Sequence, residues 1–339
     1  KLEIVCDLSP KRASQRATDL GFSRYTSNWL EVVNDPKVDL VSVCTPNDTH
    51  AEIAISALKL GKSVWCEKPM SSSLLDSKKM LSASKKSRGK TIIGYNYTKN
   101  PSVLHARELI ESGTIGDIAG FFCRYDVDNE ADKKRPWSWR MSRDASGTGA
   151  NGDILSHVIS VAHFLVGSTI SKVVGDINIV HPKRKDPANK KETKIVDNDD
   201  MIAALIHFKN GVHGHIGASR VTWGKKCGLT WEVHGTLGTI TFDQERLNEI
   251  KLFTRQKKKS TDGFRTILTG PDHPFYKSFL PNGGHSLGFM DVKMCELQML
   301  LFAIEHDTET WPNFESGYDI EKVMNAVDRS ALSGKWIKI

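Results

Sequence analysis

The fold of this 339-residue chain is decided by two stretches, Val41-Ser-Val-Cys-Thr-Pro-Asn-Asp-Thr-His50 and Gly61-Lys-Ser-Val-Trp-Cys-Glu-Lys-Pro-Met70. Each contains a short apolar run of the kind that forms a buried strand, and each run ends in polar residues. Helical periodicity over Thr49 to Leu60 joins the two runs, and Gly61 closes it. A strand, a helix and a second strand in this order predict a βαβ unit with parallel strands.

The same alternation continues on both sides of these stretches. A strand over Leu2 to Cys6 precedes a helix over Pro10 to Leu20, and a lysine-bearing helix over Ser72 to Ser87 precedes a strand over Thr91 to Tyr95. This pattern predicts an α/β fold with a Rossmann-type parallel sheet as a first domain, residues 1–97. Ligands of such sheets bind at the carboxyl ends of the strands. Four residues occupy such ends: Asp7, Thr45, Glu67 and Asn96.

The pattern changes after about Asn100. A glycine-rich segment, Ser146 to Gly152, leads into an apolar helix predicted over Asp153 to Val166. Successive strand patterns then run from about Lys172 to Leu268, and two helices close the chain. We therefore predict a second domain, residues 98–339, of the α+β class with a large, open, mostly antiparallel sheet.

Composition and charge exclude several classes of function. The net charge of +7 comes from short, scattered lysine runs, so we expect no nucleic-acid partner. No apolar stretch is long enough to span a bilayer, so no membrane partner is expected. The six cysteines are scattered without a C-x-x-C pair, and several lie in apolar strand patterns such as Val41 to Cys44. This favours buried, reduced thiols in a cytoplasmic protein and no metal site.

The first strand ends in Asp7, but no G-x-G-x-x-G turn precedes it. Dinucleotide-binding units normally open with that turn, and an acidic residue like Asp7 follows at the end of their second strand. Either the first strand and its glycine turn precede the sequence given, or the protein lacks them. We expect the former, with about 30 further N-terminal residues, as such a unit usually needs. Intact-mass measurement of the natural protein tests this expectation.

Three further motifs accompany the two opening stretches: Gly94-Tyr-Asn-Tyr97, Asn100-Pro101 and Gly149-Ala-Asn-Gly-Asp-Ile-Leu-Ser-His157. Together they closely resemble the Gfo/Idh/MocA family of nucleotide-dependent oxidoreductases, over essentially the whole chain, with its inositol and anhydrosugar dehydrogenases most similar. The resemblance implies NAD(P), a small polyhydroxylated substrate, and a homodimer or homotetramer formed through the second domain's sheet. It also marks Lys68, Asp153 and His157 as the catalytic residues.

The chemistry of these three residues suits oxidation of an alcohol. Asp153 and His157 are four residues apart, so a helix places them on one face. Histidine is a good base near neutral pH, and the Lys68 ammonium can stabilise negative charge on the reacting oxygen. The alternatives are that Asp153 caps its helix, that His157 is a core histidine and that Lys68 is an ordinary surface lysine.

Asp7 bears on the choice of cofactor. A carboxylate at this position accepts hydrogen bonds from the ribose hydroxyls and repels a 2′-phosphate, which favours NAD over NADP. Lys11 and Arg12 lie one helical turn later and weaken that preference. Helix N-terminal packing is an alternative role for His50. The remaining residues predicted to contact the cofactor are Arg12, Thr45, Pro46, Asn47, His50, Glu67, Lys68 and Asn96.

For the substrate, Trp139 and Arg140 offer a face that stacks on a sugar ring and a fork that binds hydroxyls. The leading hypothesis is an NAD-dependent dehydrogenase acting on a secondary hydroxyl of a sugar or cyclitol. Alternatives are a lyase or glycosidase that uses transient oxidation by bound NAD, and a non-catalytic, sugar-responsive regulator. The other residues predicted to contact the substrate are Tyr97, Arg124, Asp153, His157 and His285.

Overall fold

The computed structural model describes residues 1–189 and 191–339, which form two compact units. The first comprises Lys1–Gly94 and Gln298–Tyr318, and the second comprises Tyr95–Leu297 and Asp319–Ile339. The sequence placed one boundary after residue 97 and did not anticipate the return of a C-terminal segment to the first unit. That segment joins the last strand of the first unit, because the Ile93 amide donates to the Pro312 carbonyl oxygen at 2.9 Å.

The first unit is an alternation of short parallel strands and helices, as predicted. Its strands form two sheets, one of two strands and one of three, and every pairing in both is parallel. The helices begin and end at the residue types expected of them: Ser9 caps the first helix and Gly21, at φ 76°, ends it. The elements are β1 (Ile4–Cys6), α1 (Pro10–Leu20), β2 (Arg24–Thr26), α2 (Trp29–Asn34), β3 (Leu40–Val43), α3 (His50–Lys59), β4 (Ser63–Cys66), α4 (Leu74–Ser84) and β5 (Thr91–Ile93). The sheets pair β1 with β2, and β4 with both β3 and β5.

The second unit contains a large mixed sheet, a short hairpin and several helices. The last two helices are each divided between the units. The elements are α5 (Pro101–Glu111), β6 (Ile118–Asp126), α6 (Arg143–Ser146), α7 (Ser156–Val166), β7 (Ile170–Asn178), β8 (Lys183–Lys185), β9 (Thr193–Ile195), β10 (Met201–Phe208), β11 (His213–Ser219), β12 (Gly228–Gly235), β13 (Gly238–Asp243), β14 (Glu249–Thr254), β15 (Arg265–Leu268), α8 (Phe289–His306), α9 (Phe314–Ser333) and β16 (Ile337–Lys338).

The large sheet has nine strands in the order β15-β14-β13-β12-β6-β11-β10-β7-β16. Within the described part of the chain, β6 and β11 are its one parallel pair, so the predicted open and mostly antiparallel sheet is confirmed. Alternate residues of a strand face opposite sides of a sheet. On β6, Cys123 and Tyr125 are buried on the side where α7 packs, whereas Arg124 is exposed on the other side.

Three features of the described residues bear on the functional class. None of their helices has both the length and the apolar character that crossing a bilayer requires. Among residues 1–189 and 191–339, no cluster of three or more histidine, cysteine, aspartate or glutamate side chains is arranged to hold a metal ion. No disulfide links the six cysteines; three are buried, but Cys44 is exposed, which the apolar strand around it did not suggest.

Candidate active site

In the first unit, the predicted cofactor residues follow adjacent strand ends. The Glu67 amide donates to the Val43 carbonyl oxygen at 2.9 Å, and the Gly94 amide donates to the Cys66 carbonyl oxygen at 2.8 Å. These bonds hold the carboxyl ends of β3, β4 and β5 at one edge of the sheet. Lys68 follows at this edge and is partly exposed. The edge therefore presents an acidic and a basic side chain at the position where ligands of parallel sheets bind.

His50 connects two loops at the same edge. Its buried ring places Nε2 2.8 Å from the Thr45 carbonyl oxygen and Nδ1 3.1 Å from the Pro69 carbonyl oxygen. The ring thus ties the loop after β3 to the turn that carries Lys68, while Thr45 and Pro46 remain exposed. The structure gives His50 a clear role in holding these loops.

Asp7 is held ionised at the end of β1. Arg12 Nε lies 3.1 Å from both carboxylate oxygens, and the Ser9 amide donates to one of them at 2.7 Å. The hydrogen bond from Arg12, followed by that from Ser9, lowers the pKa of Asp7. About a third of the side chain, 32%, stays accessible. An accessible, ionised carboxylate at this strand end fits the ribose hydroxyls of NAD.

In the second unit, the glycine-rich loop before α7 is held by a polar segment distant in sequence. The Asp199 carboxylate accepts from the Gly149 amide at 3.1 Å and from the Asn151 amide at 2.5 Å. A Cβ at Gly149 would lie 2.2 Å from the Asp199 carbonyl oxygen, so the close approach requires glycine. The sequence patterns did not point to Asp199, although it lies in the acidic run Asp197-Asn-Asp-Asp200 directly before β10.

This loop leads into a π-helical turn, Asn151–Leu155, which α7 continues from Ser156. The sequence predicted a helix over Asp153 to Val166, and the structure is helical there but begins two residues earlier with a π-turn. Asp153 is exposed within this otherwise buried segment, and His157 is 5% exposed. Single π-turns inside helices are frequent at functional sites. The turn thus presents a carboxylate to the surface one turn before a buried imidazole.

Three tyrosine rings surround the His157 imidazole. The Tyr95 ring meets it edge-on with centroids 5.4 Å apart, the Tyr97 ring is tilted against it at 4.6 Å, and the Tyr125 ring meets it edge-on at 5.9 Å. The first two come from the segment before α5, and the third comes from β6. The imidazole is therefore held in a defined orientation by aromatic packing.

The hydroxyls of two of these rings meet a thiol. Tyr97 Oη and Tyr125 Oη are 2.9 Å apart, and each lies 3.6 Å from Cys227 Sγ. Burial raises the pKa of both tyrosines, so both hydroxyls keep their protons at neutral pH. Tyr97 was predicted from the sequence. Tyr125 and Cys227 were not, because a strand pattern gives the face of a residue but not its neighbours across the core.

The remaining predicted substrate residues lie elsewhere in the second unit. Trp139 is exposed with the Arg140 guanidinium 4.4 Å from its ring centroid, which forms a ready cation–π pair. Arg124 pairs with Asp126 at 3.0 Å on the face of the sheet opposite α7, so the structure does not bring it to the tyrosines around His157. His285 lies exposed in the loop before α8. The buried Asn96 belongs to the short 3-10 turn that also carries Tyr97.

An ionised carboxylate at a parallel strand end of the first unit is typical of dinucleotide binding. In the second unit, an aspartate and a histidine one helical turn apart are residue types that serve proton transfer. These features indicate the class of nicotinamide-dependent oxidoreductases. Comparison with known proteins supports the same class. Residues 1–95 match the model of the oxidoreductase family with an NAD-binding Rossmann fold, and residues 103–241 match the GFO/IDH/MocA C-terminal domain. The chain belongs to the Gfo/Idh/MocA family and is an NAD-dependent dehydrogenase, as the sequence motifs predicted.

Among its relatives is the levoglucosan dehydrogenase of Pseudarthrobacter phenanthrenivorans, which is 33% identical over 99% of this chain and 89% of that protein. The myo-inositol 2-dehydrogenase of Thermotoga maritima is 27% identical over 75% of this chain and 71% of that protein. A solved levoglucosan dehydrogenase in complex with NADH and levoglucosan superimposes with a TM-score of 0.95 at 34% identity, over 99% of this chain and 90% of that one.

Proposed function

We propose that this enzyme oxidises a secondary hydroxyl of a sugar, anhydrosugar or cyclitol, with His157 as the base and with Lys68 and Asp153 as its partners. The observation that carries the proposal is the oriented His157 imidazole, enclosed by three tyrosine rings, one turn after the exposed Asp153. The relatives support the substrate class, since one is named for levoglucosan and another for myo-inositol.

In the proposed reaction, the hydroxyl proton and the hydride leave the same carbinol group in different directions. NAD, when bound, supplies the acceptor for the hydride. The His157 ring takes the proton; a neutral imidazole is suited to this near pH 7. Asp153 accepts a hydrogen bond from a substrate hydroxyl, which an exposed carboxylate at a helical turn can do. Tyr97, Trp139 and Arg140 are proposed to contact the rest of the substrate.

Lys68 is proposed to donate a hydrogen bond to the reacting oxygen. Its position supports this role, because the partly exposed side chain follows the strand-end edge that the Glu67 amide and the His50 ring hold in place. An ammonium group there stabilises the negative charge that develops as the proton leaves. Asp7, with its lowered pKa, is proposed to anchor the adenosine ribose and to favour NAD over NADP.

A screen of NAD reduction at 340 nm across inositols, aldoses, anhydrosugars and glycosides tests the function. Stoichiometric accumulation of NADH with one class of polyol is the expected result. Conversion of a sugar without net NADH would identify transient oxidation instead. A complete lack of NAD reduction and of sugar conversion, with NAD still bound, would contradict a catalytic role and favour a regulator.

Two variants test the residue roles. Lys68→Ala and His157→Asn are each expected to lower kcat by about 100-fold or more, the usual size of a lost charge-stabilising or general-base group. The dissociation constant for NADH, from fluorescence titration, is expected to change little. Lys79→Ala is the matched control, since this exposed lysine of α4 pairs with Asp76. Turnover at the wild-type rate in Lys68→Ala would reject its assignment.

A further inference from the structure

The triangle formed by Tyr97, Tyr125 and Cys227 is not needed for packing alone. Tyr125 is 8% exposed and Tyr97 is 6% exposed, and phenylalanine would fill the same space without a polar atom. Burying a hydroxyl costs free energy unless it is hydrogen-bonded. Here each hydroxyl finds a partner in the other at 2.9 Å, and both contact Cys227 Sγ at 3.6 Å.

The two hydroxyls and the thiol restrain one another because each group has a single proton to donate. Each hydroxyl and the thiol carries one proton, so each can donate to one neighbour only. With protonated tyrosines, the donors can follow one another round the triangle in either direction, and each oxygen keeps a lone pair that can accept. Tyr97 is thereby tied at its hydroxyl end to Tyr125 of β6 and to Cys227, the residue directly before β12. Its ring centroid lies 4.6 Å from that of His157.

The triangle also interacts electrostatically with the π-turn before α7, which carries Asp153. The charge of Asp153 acts on the Tyr97 hydroxyl and adds to the raised pKa that burial gives it. The Tyr97 ring therefore packs against the His157 imidazole, and the Tyr97 hydroxyl interacts electrostatically with the Asp153 carboxylate. A displacement of the Tyr97 hydroxyl therefore changes both its distance from Asp153 and the packing of the Tyr97 ring against His157.

We propose that Tyr125, assisted by Cys227, is a positioning residue: its hydroxyl fixes Tyr97, and through Tyr97 it sets the orientation of the His157 imidazole. The catalytic consequence rests on the proposed function of His157 as the base. Tyr125 itself lies edge-on to His157 at 5.9 Å, so its ring would still pack there as phenylalanine. What Tyr125→Phe removes is the hydroxyl, with its 2.9 Å contact to Tyr97 Oη and its 3.6 Å contact to Cys227 Sγ.

A double-mutant cycle tests whether Tyr125 acts through Tyr97. Tyr125→Phe alone is expected to lower kcat about tenfold, the size of one lost hydrogen bond in a buried site, with little change in the NADH dissociation constant. In the Tyr97→Phe background, the same substitution is expected to change kcat less than twofold. Equal losses in both backgrounds, or no loss in either, would overturn the proposal.

The second readout needs no turnover. Nitrogen-15 labelling of histidine reports the His157 ring directly, and the signal missing from His157→Asn identifies it. Tyr125→Phe is expected to shift this signal and its pH titration, whereas adding it to Tyr97→Phe is expected to shift neither. Cys227→Ala is expected to give a smaller shift of the same kind, because a thiol is a weaker donor and acceptor than a hydroxyl.

These two readouts separate the inference from the proposed function. If wild-type protein reduces no NAD with any polyol, the proposed function fails, and the nitrogen-15 cycle still decides whether Tyr125 positions His157. If NAD is reduced but the His157 signal ignores Tyr125→Phe, the positioning role fails while the enzyme stands. Melting temperatures of all variants are measured alongside, and a kcat loss that follows stability in both backgrounds counts against positioning.

Discussion

His163 should make the second unit lose stability in mild acid. It lies buried on α7, and its Nε2 accepts a hydrogen bond from the Ile170 amide at 3.1 Å, which only the neutral ring can do. Burial lowers the pKa of His163 to about 4; the charge of Asp319 opposes this shift, while Lys322 and Lys209 add to it. Protonation therefore breaks a hydrogen bond and leaves a charge in the core.

The loss of stability in acid can be calculated from the difference between the pKa of His163 in the folded chain and in the unfolded chain. The pKa of His163 is about 4 when folded and 6.5 as the reference for the unfolded chain. As the pH falls, the unfolded chain binds the proton first. The contribution of His163 to the free energy of unfolding is therefore fully present above about pH 6.5 and is lost as the pH drops toward 4. At about 1.4 kcal/mol for each unit between the pKa values, the loss is roughly 3 kcal/mol in total, of which about 2 kcal/mol falls between pH 7 and pH 5.

The assay compares wild type with His163→Gln by urea unfolding at pH 7 and pH 5. A glutamine carbonyl can still accept from the Ile170 amide, but it does not titrate. Other histidines contribute equally to both proteins, so the difference between their pH dependences isolates His163. We expect wild type to lose about 2 kcal/mol more than the variant between these pH values. Equal losses would refute the argument that burial keeps this ring neutral.

Three further predictions concern the site. Gly149→Ala sets a Cβ 2.2 Å from the Asp199 carbonyl oxygen, so we expect a loss of about 3 kcal/mol in thermal unfolding and at least about tenfold lower kcat. Asp7→Asn removes the ionised acceptor for the ribose, and we expect the KM for NAD to rise about tenfold with kcat little changed in steady-state kinetics. Arg124→Ala is expected to leave kcat/KM within about twofold of wild type, because this side chain lies on the face opposite His157.

Each of these three predictions can be contradicted by a specific result. Gly263→Ala is the matched glycine control, since a Cβ there meets no heavy atom within 4 Å and should change neither stability nor turnover. A loss in Gly263→Ala as large as in Gly149→Ala would remove the steric explanation. An unchanged KM for NAD in Asp7→Asn would separate that carboxylate from the cofactor. A large fall of kcat/KM in Arg124→Ala would return this residue to the substrate site.

Local patterns predicted the first unit well because its elements are defined by neighbours in sequence. The helix expected over Thr49 to Leu60 is α3, His50–Lys59, and the strand expected over Ser63 to Cys66 is β4. Apolar runs, caps and closing glycines are all read within a few residues, and these elements obey them. The two short elements β2 and α2 were missed, since Arg24–Thr26 and Trp29–Asn34 are too brief to show a period.

The first turn before α7 shows where local patterns fail. The apolar residues after Asp153 predict a helix, but they cannot distinguish a regular first turn from a π-turn. The residues that enter this turn are held from a distance, because the Gly149 and Asn151 amides donate to the Asp199 carboxylate. Asp199 lies just before another strand, so no window along the sequence contains both partners.

The sequence by itself determined the order of strands and helices, the polar residues at the strand ends, and the spacing that puts Asp153 one turn before His157. It also predicted the family, because those motifs recur together along the whole chain. Only the tertiary structure decided what surrounds His157. Tyr97 and Tyr125 are 28 residues apart and Tyr97 and Cys227 are 130 apart. Pairing of β12 with β6 brings Cys227 to Tyr125, and the turn that carries Tyr97 packs against α7, which also packs on β6. Periodicity assigns a side chain to a face, whereas strand order and packing choose the side chains that it meets.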